Sequence, residues 1–451
     1  MTESDSTHPN TIYLAEGTYS PSVTGEFFAF GGKDYLSLKG AGKELTVINA
    51  EQTAILFEID KISDYVVQDI SLINGFGHYV GGIDINYNSS VNFENIIIEN
   101  NDCIGDGVSH LFLYSNCLSS LKNVDISSLG ETNAVALSAR LNTSLLLNNC
   151  KIRGNIVNPA TDNFGAITFS NNTCPVIVNT SITNNYGILC SGISITWSYD
   201  SAYLINSTVV DNKDCSEGTI RLVDDSHIHL INTILRNEPD TEIWFSPIGD
   251  PCSASVEYCN IDGGIDAINT NNNGTLYWGD GNIDEDPLFV GGDPFSYELT
   301  KYSPCIDAGT PDTTGLHLPA TDLAGNPRIF NGRIDIGAYE CQDTVSVDQP
   351  DTSFIHNLYL FQNTPNPFTN ETEILFITAD YTRVEDYKLS IYNTRGQRIR
   401  SFDGRTNNFW AKTKILWDGT DEYGTQVAPG TYLYKLEYNG HAVVRKMVKV
   451  K

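Results

Sequence analysis

The densest group of titratable side chains in the chain lies between residues 221 and 229. Arg221, Asp224, Asp225, His227 and His229 are separated by one to three residues, and such side chains can accept or donate protons at neutral pH. A second interpretation competes with this one: Asp224 to Ser226 forms a turn, and the flanking side chains face solvent. The sequence favours the turn, so Arg221, Asp224, Asp225 and His227 are weak catalytic candidates. Other candidate bases are Lys122, Arg140, Lys151 and Arg153.

A possible metal site follows further along the chain. Asp280, Asn282, Asp284 and Asp286 occupy alternate positions, as oxygen ligands do in the first half of a calcium-binding loop. The rest of the pattern does not fit, because Glu285 stands where such a loop needs glycine. Calcium is therefore the one cofactor that the sequence suggests, and a polar turn is the favoured alternative.

A repeated phrase indicates the elements that carry these residues. In each copy, one apolar residue stands two positions before an asparagine, and a second apolar residue stands three positions after the asparagine. Successive asparagines are 28, 26, 30, 27 and 26 residues apart. Asn95, Asn123, Asn149, Asn179, Asn206 and Asn232 are the six asparagines.

Each repeat contains short segments of alternating apolar residues, separated by Asn, Asp, Ser and Gly, and lacks a helical period. The pattern predicts an all-β chain in which short strands stack as coils of a parallel β-helix. An asparagine suits each bend because it tolerates left-handed backbone and can hydrogen-bond to asparagines in neighbouring coils. We therefore expect these six residues to form a structural ladder.

The phrases Gly81-Gly82-Ile83-Asp84-Ile85 and Gly165-Ala-Ile167, together with the asparagine repeat, resemble the right-handed parallel β-helix family with the pectate-lyase-like fold. The resemblance covers about residues 11 to 300, and we expect the β-helix itself over 11–275. Proteins of this family include polysaccharide lyases and hydrolases, but also adhesins, so the fold alone does not select a function.

Residues 276–341 break the repeat. Their phrases Asp322-Leu-Ala-Gly-Asn-Pro-Arg328 and Asp335-Ile-Gly-Ala-Tyr-Glu340 resemble the closing segment of secreted bacterial β-helix proteins. We expect this segment to cap the open end of the column, and Cys305 and Cys341 are a possible disulfide pair within it.

The polar residues 342–357 predict a linker, and the alternating segments in 358–451 predict a small immunoglobulin-like β-sandwich. The phrases Pro365-Asn-Pro-Phe368, Trp417-Asp-Gly419 and Gly430-Thr-Tyr432 resemble the type IX secretion C-terminal sorting domain. The resemblance implies that outer-membrane secretion machinery is a partner of residues 358–451. The flagellar-hook-cap-like immunoglobulin module shares part of this pattern and would instead be a passive spacer.

The charge distribution separates the same two parts. The chain of 451 residues has a net charge of −29, with 14 basic and 45 acidic residues in 1–350 but 13 and 11 in 351–451. Such acidity argues against nucleic acid as a partner. No apolar run is long enough for a transmembrane helix, and no signal peptide precedes the first repeat, so we expect that a leader is missing from this sequence. Ten cysteines without zinc-like spacing favour disulfides over metal.

These observations predict a protein of the cell surface or extracellular space, exported by a type IX-like route, that binds polysaccharide or another surface polymer without catalysis. Exposed aromatic residues such as Tyr87, Tyr114, Trp197 and Tyr199 could stack on sugar rings. A polysaccharide lyase acting on acidic glycans is the alternative enzyme, although a strongly acidic surface repels such substrates. A structural surface spacer is the third possibility.

Overall fold

The chain is described from a computed structural model and forms two compact units. Unit 1 comprises Met1–Val290 and Tyr297–Thr344, and unit 2 comprises Gly291–Ser296 and Val345–Lys451. The structure describes residues 10–24, 30–31, 33–105, 107–158, 164–213, 215–237, 241–291, 296–342, 357–360, 363, 365–379, 386–405, 411–438 and 441–450. Most of the predicted linker, 342–357, lies outside these residues.

Unit 1 is a parallel β-solenoid, which confirms the predicted fold class. Its first face, here called sheet 1, contains ten parallel strands in the described part of the chain, and each belongs to one successive coil. The strands of sheet 1 are Phe30–Gly31, Phe57–Asp60, Ile83–Asn86, Val108–Tyr114, Val135–Arg140, Ile167–Ser170, Ile193–Thr196, Ile220–Val223, Ile243–Phe245 and Ile268–Asn269.

The other two faces, sheet 2 and sheet 3, meet along a bend and share three long strands. The shared strands are Tyr65–Ile73, Ser90–Glu99 and Leu118–Ser127. Sheet 2 also contains Asn10–Tyr13, Leu36–Lys39, Ser144–Asn148, Cys174–Val178, Ala202–Ile205, His227–Ile231, Cys252–Glu257 and Gly274–Trp278. Sheet 3 also contains Gly17–Tyr19, Thr46–Asn49, Lys151–Arg153, Ser181–Thr183, Thr208–Val210, Ile234–Arg236 and Asn260–Ile261.

Only short elements lie outside these faces in the described part of unit 1. They are the helix Pro21–Thr24, the 3-10 helix Gly264–Ala267 and two pairs of two-residue strands, Phe76–Gly77 with Asp102–Cys103 and Glu131–Thr132 with Ile156–Val157. None of the described helices has the length and apolar character needed to cross a membrane.

The register of the strands follows the sequence repeat. Phe93 pairs with Leu121 in the next coil, and the same row continues through Leu147, Ile177, Leu204, Leu230 and Val256. All of these side chains are almost completely buried. Because one coil cannot bury its inward side chains alone, the stacked rows form one continuous apolar column.

The six repeat asparagines lie at the bend between sheet 2 and sheet 3. Their φ angles lie between 44° and 58°, in the left-handed region that asparagine tolerates better than most residues. The amide of Asn95 donates to Asp69 at 2.6 Å, and that of Asn232 donates to Asn206 at 3.0 Å. Asn179 makes the same bond to Asn149.

A second asparagine ladder runs inside the corner where the chain leaves sheet 3. Asn155, Asn185 and Asn212 each donate through Nδ2 to the Oδ1 of the next asparagine at 2.9 Å, and this ladder ends on Asn237. Each oxygen also accepts the backbone N–H of the preceding asparagine. The sequence repeat does not single out these four residues, although each follows a repeat asparagine by five or six positions.

The disulfide prediction is wrong. All ten cysteines lie among the described residues, and no two of them form a disulfide. Several take the place of serine or threonine in polar rows along the column: Cys150 and Cys259 belong to the row of Thr180, Ser207 and Thr233. The thiol of Cys150 donates to the carbonyl of Leu121 at 3.3 Å, so it satisfies a backbone group of the adjacent coil.

The closing segment lies mainly along the side of the column instead of covering its end. Of its described residues, those that extend the solenoid are 276–278, which complete the last strand of sheet 2, and residues near Ile283, which exchanges backbone hydrogen bonds with Cys259 and Ile261. Residues 297–341 pack on the outer surface of sheet 3, and the backbone N–H of Gly337 donates to the carbonyl of Asn232 at 2.8 Å. The reason is visible in the sheet: its outward side chains Val210 and Ile234 are apolar and require a cover.

Unit 2 contains two antiparallel sheets. The first consists of Asn357–Leu360, Thr372–Ala379 and Ala411–Trp417, and the second of Asp386–Asn393, Arg398–Arg405, Gly430–Tyr438 and His441–Lys449. Phe368, Trp417 and Tyr432, each from one of the three phrases quoted for residues 358–451, pack together in the core, with ring centroids 5.4 and 5.5 Å apart. These residues therefore maintain the fold of the unit.

Candidate functional site

The structure separates the residues of the 221–229 cluster onto two faces. Arg221 lies on the outer surface of sheet 1, where Nε contacts Glu217 Oε2 at 2.5 Å. The guanidinium also lies 5.6 Å from the ring centroids of both Phe164 and Trp244. A guanidinium bound in this way is held by a carboxylate and two rings, which suits a fixed positive charge better than a proton acceptor.

Asp224 and Asp225 form the turn between sheet 1 and sheet 2, with φ angles of 49° and 51°. His227 follows on sheet 2, where Nε2 lies 3.2 Å from Asp225 Oδ1 and Nδ1 lies 2.8 Å from Ser253 Oγ. Ser253 is a neighbour that the sequence analysis missed, because it belongs to the next coil. The backbone N–H of Ser253 donates to the carbonyl of Ser226, so it is not available to bind the oxyanion that forms on a substrate carbonyl when a hydroxyl attacks it.

An aligned row of rings and hydroxyls lies on the outer surface of sheet 2, next to His227. The row consists of Tyr203, His229, Ser255 and Tyr277, which pair in register across four successive coils. We call it the aromatic row. The Tyr203 and His229 rings stack with centroids 5.0 Å apart and an angle of 14° between their planes. Tyr203 and Tyr277 are 38% and 61% exposed.

Burial lowers the pKa of His229, which favours its neutral form at neutral pH. A neutral imidazole can stack on Tyr203 and on an uncharged ring without the cost of desolvating a cation. With coils about 4.8 Å apart, the row from Tyr203 to Tyr277 extends roughly 14 Å along the column. The geometry is therefore that of a flat, open platform.

The other aromatic candidates occupy separate places. Tyr87 and Tyr114 contact each other edge to face, with centroids 5.7 Å apart, near the turn that follows sheet 1. Trp197 and Tyr199 lie in the turn that precedes the aromatic row, and they are 49% and 62% exposed.

The remaining candidate bases have their own partners or lie elsewhere. Lys122 pairs with Glu94 at 2.6 Å, and Arg153 pairs with Asp125 at 2.8 Å. Arg140 donates to the hydroxyl of Tyr79 at 3.0 Å on the sheet 1 side. Lys151 lies on sheet 3, at the edge of a cavity that is described below.

The predicted calcium residues lie on the last partial coil, where several side chains bind backbone groups. Asn282 Oδ1 accepts the N–H of Cys259 at 2.9 Å, Asp284 Oδ1 accepts that of Gly263 at 3.1 Å, and Asp286 Oδ1 accepts that of Leu288 at 2.9 Å. Asp280 provides a backbone carbonyl to Tyr258. Within the described residues, no group of three or more His, Cys, Asp or Glu side chains is arranged to hold a metal. Three of the four side chains thus bind backbone N–H groups, as in a polar turn, and the calcium site stays a prediction.

Comparisons with known proteins do not place the chain in a family. No protein-family model matches the chain. Over 111 residues, 24% of this chain, the sequence is 32% identical to the metabotropic glutamate receptor-like protein P of Dictyostelium discoideum, but the match spans only 7% of that protein.

Among solved structures, the chain is similar to the A-module of the mannuronan C-5 epimerase AlgE4 of Azotobacter vinelandii, with 12% identity and a TM-score of 0.29, covering 62% of this chain and 91% of that one. It is also similar to the pectin methylesterase of Yersinia enterocolitica, with 14% identity, a TM-score of 0.23 and coverage of 60% and 77%. Latent PorU of Porphyromonas gingivalis matches 25% of this chain and 10% of its own, at 20% identity and a TM-score of 0.20. Scores of this size carry no functional argument.

Proposed function

We propose that the β-solenoid is a non-catalytic glycan-binding protein of the cell surface or extracellular space, and that the aromatic row is its binding surface. The observation that carries this proposal is the alignment of the stacked Tyr203 and His229 rings with Tyr277 along one exposed face. Sugar rings present apolar C–H faces, which pack on aromatic rings, while their hydroxyls bond to polar neighbours such as Ser255. A row along the column suits a linear polymer.

Support for binding without catalysis comes from the candidate bases. Arg221 is held by Glu217 on a different face, and His227 shares its two ring nitrogens between Asp225 and Ser253. The aromatic row is also flat, whereas catalytic sites usually enclose the reacting groups.

Residues 358–451 would deliver this protein through a type IX-like route, as their sequence phrases suggest. Because Phe368, Trp417 and Tyr432 are buried in the core of unit 2, the secretion machinery would contact other, exposed positions of the unit. Deletion of residues 358–451 is expected to leave the solenoid inside the producing cell, and unchanged export would contradict this part of the proposal.

The binding proposal is tested by affinity electrophoresis of the full chain in gels that contain alginate, pectin, xyloglucan or mixed-linkage glucan. We expect retardation by at least one polymer, and at least tenfold weaker binding for Tyr203→Ala and Tyr277→Ala. Tyr423→Ala is the matched control, because Tyr423 is 92% exposed and belongs to unit 2. Retardation that is equal in all variants would overturn the assignment of the aromatic row, and no retardation by any polymer would favour a structural spacer.

A further inference from the structure

A cavity of about 400 Å³ opens on unit 1, at the bend between sheet 2 and sheet 3, and its lining asparagines belong to earlier coils than the aromatic row. Its floor is the uncovered part of the first asparagine ladder, Asn95, Asn123 and Asn149. Lys43, Lys151 and the loop 321–325 form its walls. We call this cavity the ladder groove. Its volume lies within the range of about 300–1,000 Å³ that is usual for ligand sites.

The same ladder shows two different environments along the column. In the later coils, the closing segment covers it: Asn179 Oδ1 accepts from Arg328 at 3.2 Å, and Asn232 Oδ1 accepts the N–H of Thr310 at 2.6 Å. Asn206 donates to the carbonyl of Asp335 at 3.3 Å. Each covered amide thus binds a group from outside the ladder, which shows that these amides are available to a second partner.

In the groove, no such partner is present among the described residues. The side-chain amide of Asn123 has no hydrogen-bond partner there, and Asn149 uses only its oxygen, which accepts from Asn179. The N–H groups of Leu323, Ala324 and Gly325 in the loop wall already bond within the closing segment. The groove therefore offers the free N–H donors of Asn123 and Asn149.

The two lysines add unpaired positive charge. Lys43 and Lys151 are half-buried, and within the described residues neither ammonium lies within 4.0 Å of a carboxylate. The lining contains two acidic residues. Asp125 is paired with Arg153 through two bonds of 3.2 and 2.8 Å, and the carboxylate of Asp322 accepts the backbone N–H groups of Ala324, Asn326 and Glu340. In a chain of net charge −29, two lysines without acidic partners beside one cavity are a local excess of cations.

We propose that the ladder groove is a second binding site, and that it takes an acidic sugar unit whose carboxylate lies between Lys43 and Lys151. The donors of Asn123 and Asn149 bind the hydroxyls and ring oxygen of the same unit. The ligand class follows from the surplus of donors and cations over free acceptors, together with a volume larger than an inorganic anion needs. This site goes beyond the aromatic row and uses none of its residues.

Calorimetric titration of the full chain with digalacturonate tests this proposal. We expect saturable binding that weakens at least tenfold in the double variant Lys43→Gln/Lys151→Gln and in Asn123→Ala. Digalactose, in which a neutral hydroxymethyl group replaces each carboxylate, is expected to bind at least tenfold more weakly than digalacturonate. Lys213→Gln is the control, because Lys213 is an exposed solenoid lysine outside the groove.

Absence of digalacturonate binding would overturn the proposal, as would unchanged affinity in the lysine and asparagine variants with a retained melting temperature. Tyr203→Ala separates this site from the aromatic row: it should weaken retention by a neutral polysaccharide, such as xyloglucan or mixed-linkage glucan, at least tenfold but leave digalacturonate binding intact. If Tyr203→Ala loses both its retention by the gel and its binding of digalacturonate, the proposal of two independent sites is contradicted.

Discussion

The guanidinium of Arg328 lies 3.2 Å from the amide oxygen of Asn179, a residue 149 positions earlier in the chain. The same guanidinium donates to the carbonyls of Asp335 and Gly337 and lies 3.5 Å from Glu340 Oε2. Arg328 and Glu340 are 2% and 3% exposed. This contact explains the two phrases of the closing segment: they build a buried polar network that fastens the segment to the asparagine ladder.

Arg328→Met is expected to lower the free energy of unfolding of unit 1 by about 3–5 kcal/mol, because it leaves the buried carboxylates of Asp335 and Glu340 without their cation. Urea denaturation measures the change. Arg333→Met is the control; its exposed guanidinium donates only to carbonyls, and we expect a loss of about 1 kcal/mol or less. Equal losses in the two variants would contradict the role of the network.

The second asparagine ladder is expected to be as important for stability. Asn212→Ala removes the acceptor of the Asn185 amide and N–H and the donor to Asn237, all of them buried. We expect a loss of about 2–4 kcal/mol in urea denaturation, because each buried group left without a partner costs about 1–3 kcal/mol. Asn92→Ala changes an exposed strand residue on sheet 2 and should cost less than about 0.5 kcal/mol.

The cysteines give a prediction on reactivity. Burial raises the pKa of Cys150 and Cys259 to about 12, so few of their thiols are ionised at pH 8. In denaturant without reductant, a thiol reagent should react with all ten cysteines. In the folded protein it should react with very few of them within the same time. Cys174, which is only partly buried, should react first. Fewer than ten groups after denaturation would restore the disulfide hypothesis.

His110 provides a pH-dependent contribution to stability. It is fully buried, and burial lowers its pKa to about 4, while Nε2 donates to the carbonyl of Ser127 at 2.8 Å. The unfolded chain takes up a proton near pH 6.5, but the folded protein does so only near pH 4. The contribution of His110 to the free energy of unfolding is therefore fully present above about pH 6.5. It decreases by about 3 kcal/mol as the pH falls towards 4.

His110→Gln removes this titration, so the difference in unfolding free energy between the variant and the wild type should narrow as the pH falls from 7 to 4. Comparing the two proteins cancels the contributions of buried acids such as Glu242, whose pKa burial raises to about 8 and whose effect has the opposite sign. A difference that is constant over this range would show that His110 does not carry the effect.

The sequence repeat predicts the register of the solenoid because the same row of inward residues recurs in every coil. It does not predict that Tyr203, His229 and Tyr277 align, since their outward positions carry no constraint from the core. The sequence also does not reveal that residues 221–229 lie on two faces, because the turn at Asp224 and Asp225 directs the chain from sheet 1 to sheet 2. Neighbours in the sequence thus separate, while Ser253 of the next coil becomes a neighbour of His227.

Prediction from the sequence has a second limit, which the closing segment and the cysteines illustrate. Sequence phrases identify where the repeat ends, but the place where 297–341 packs depends on the apolar outer residues Val210 and Ile234 of sheet 3, which are hard to distinguish from core residues in the sequence. The cysteines replace serine and threonine in rows along the column, and composition alone cannot separate that role from disulfide formation.

The most direct test of binding without catalysis is the fate of the polymer itself. A polysaccharide that retards the protein is incubated with the full chain, with and without calcium, while its chain length and the absorbance of unsaturated products are followed. We expect saturable binding, a constant chain length and no new absorbance. Shortened chains or unsaturated products that disappear in Arg221→Ala would contradict the account and identify a lyase.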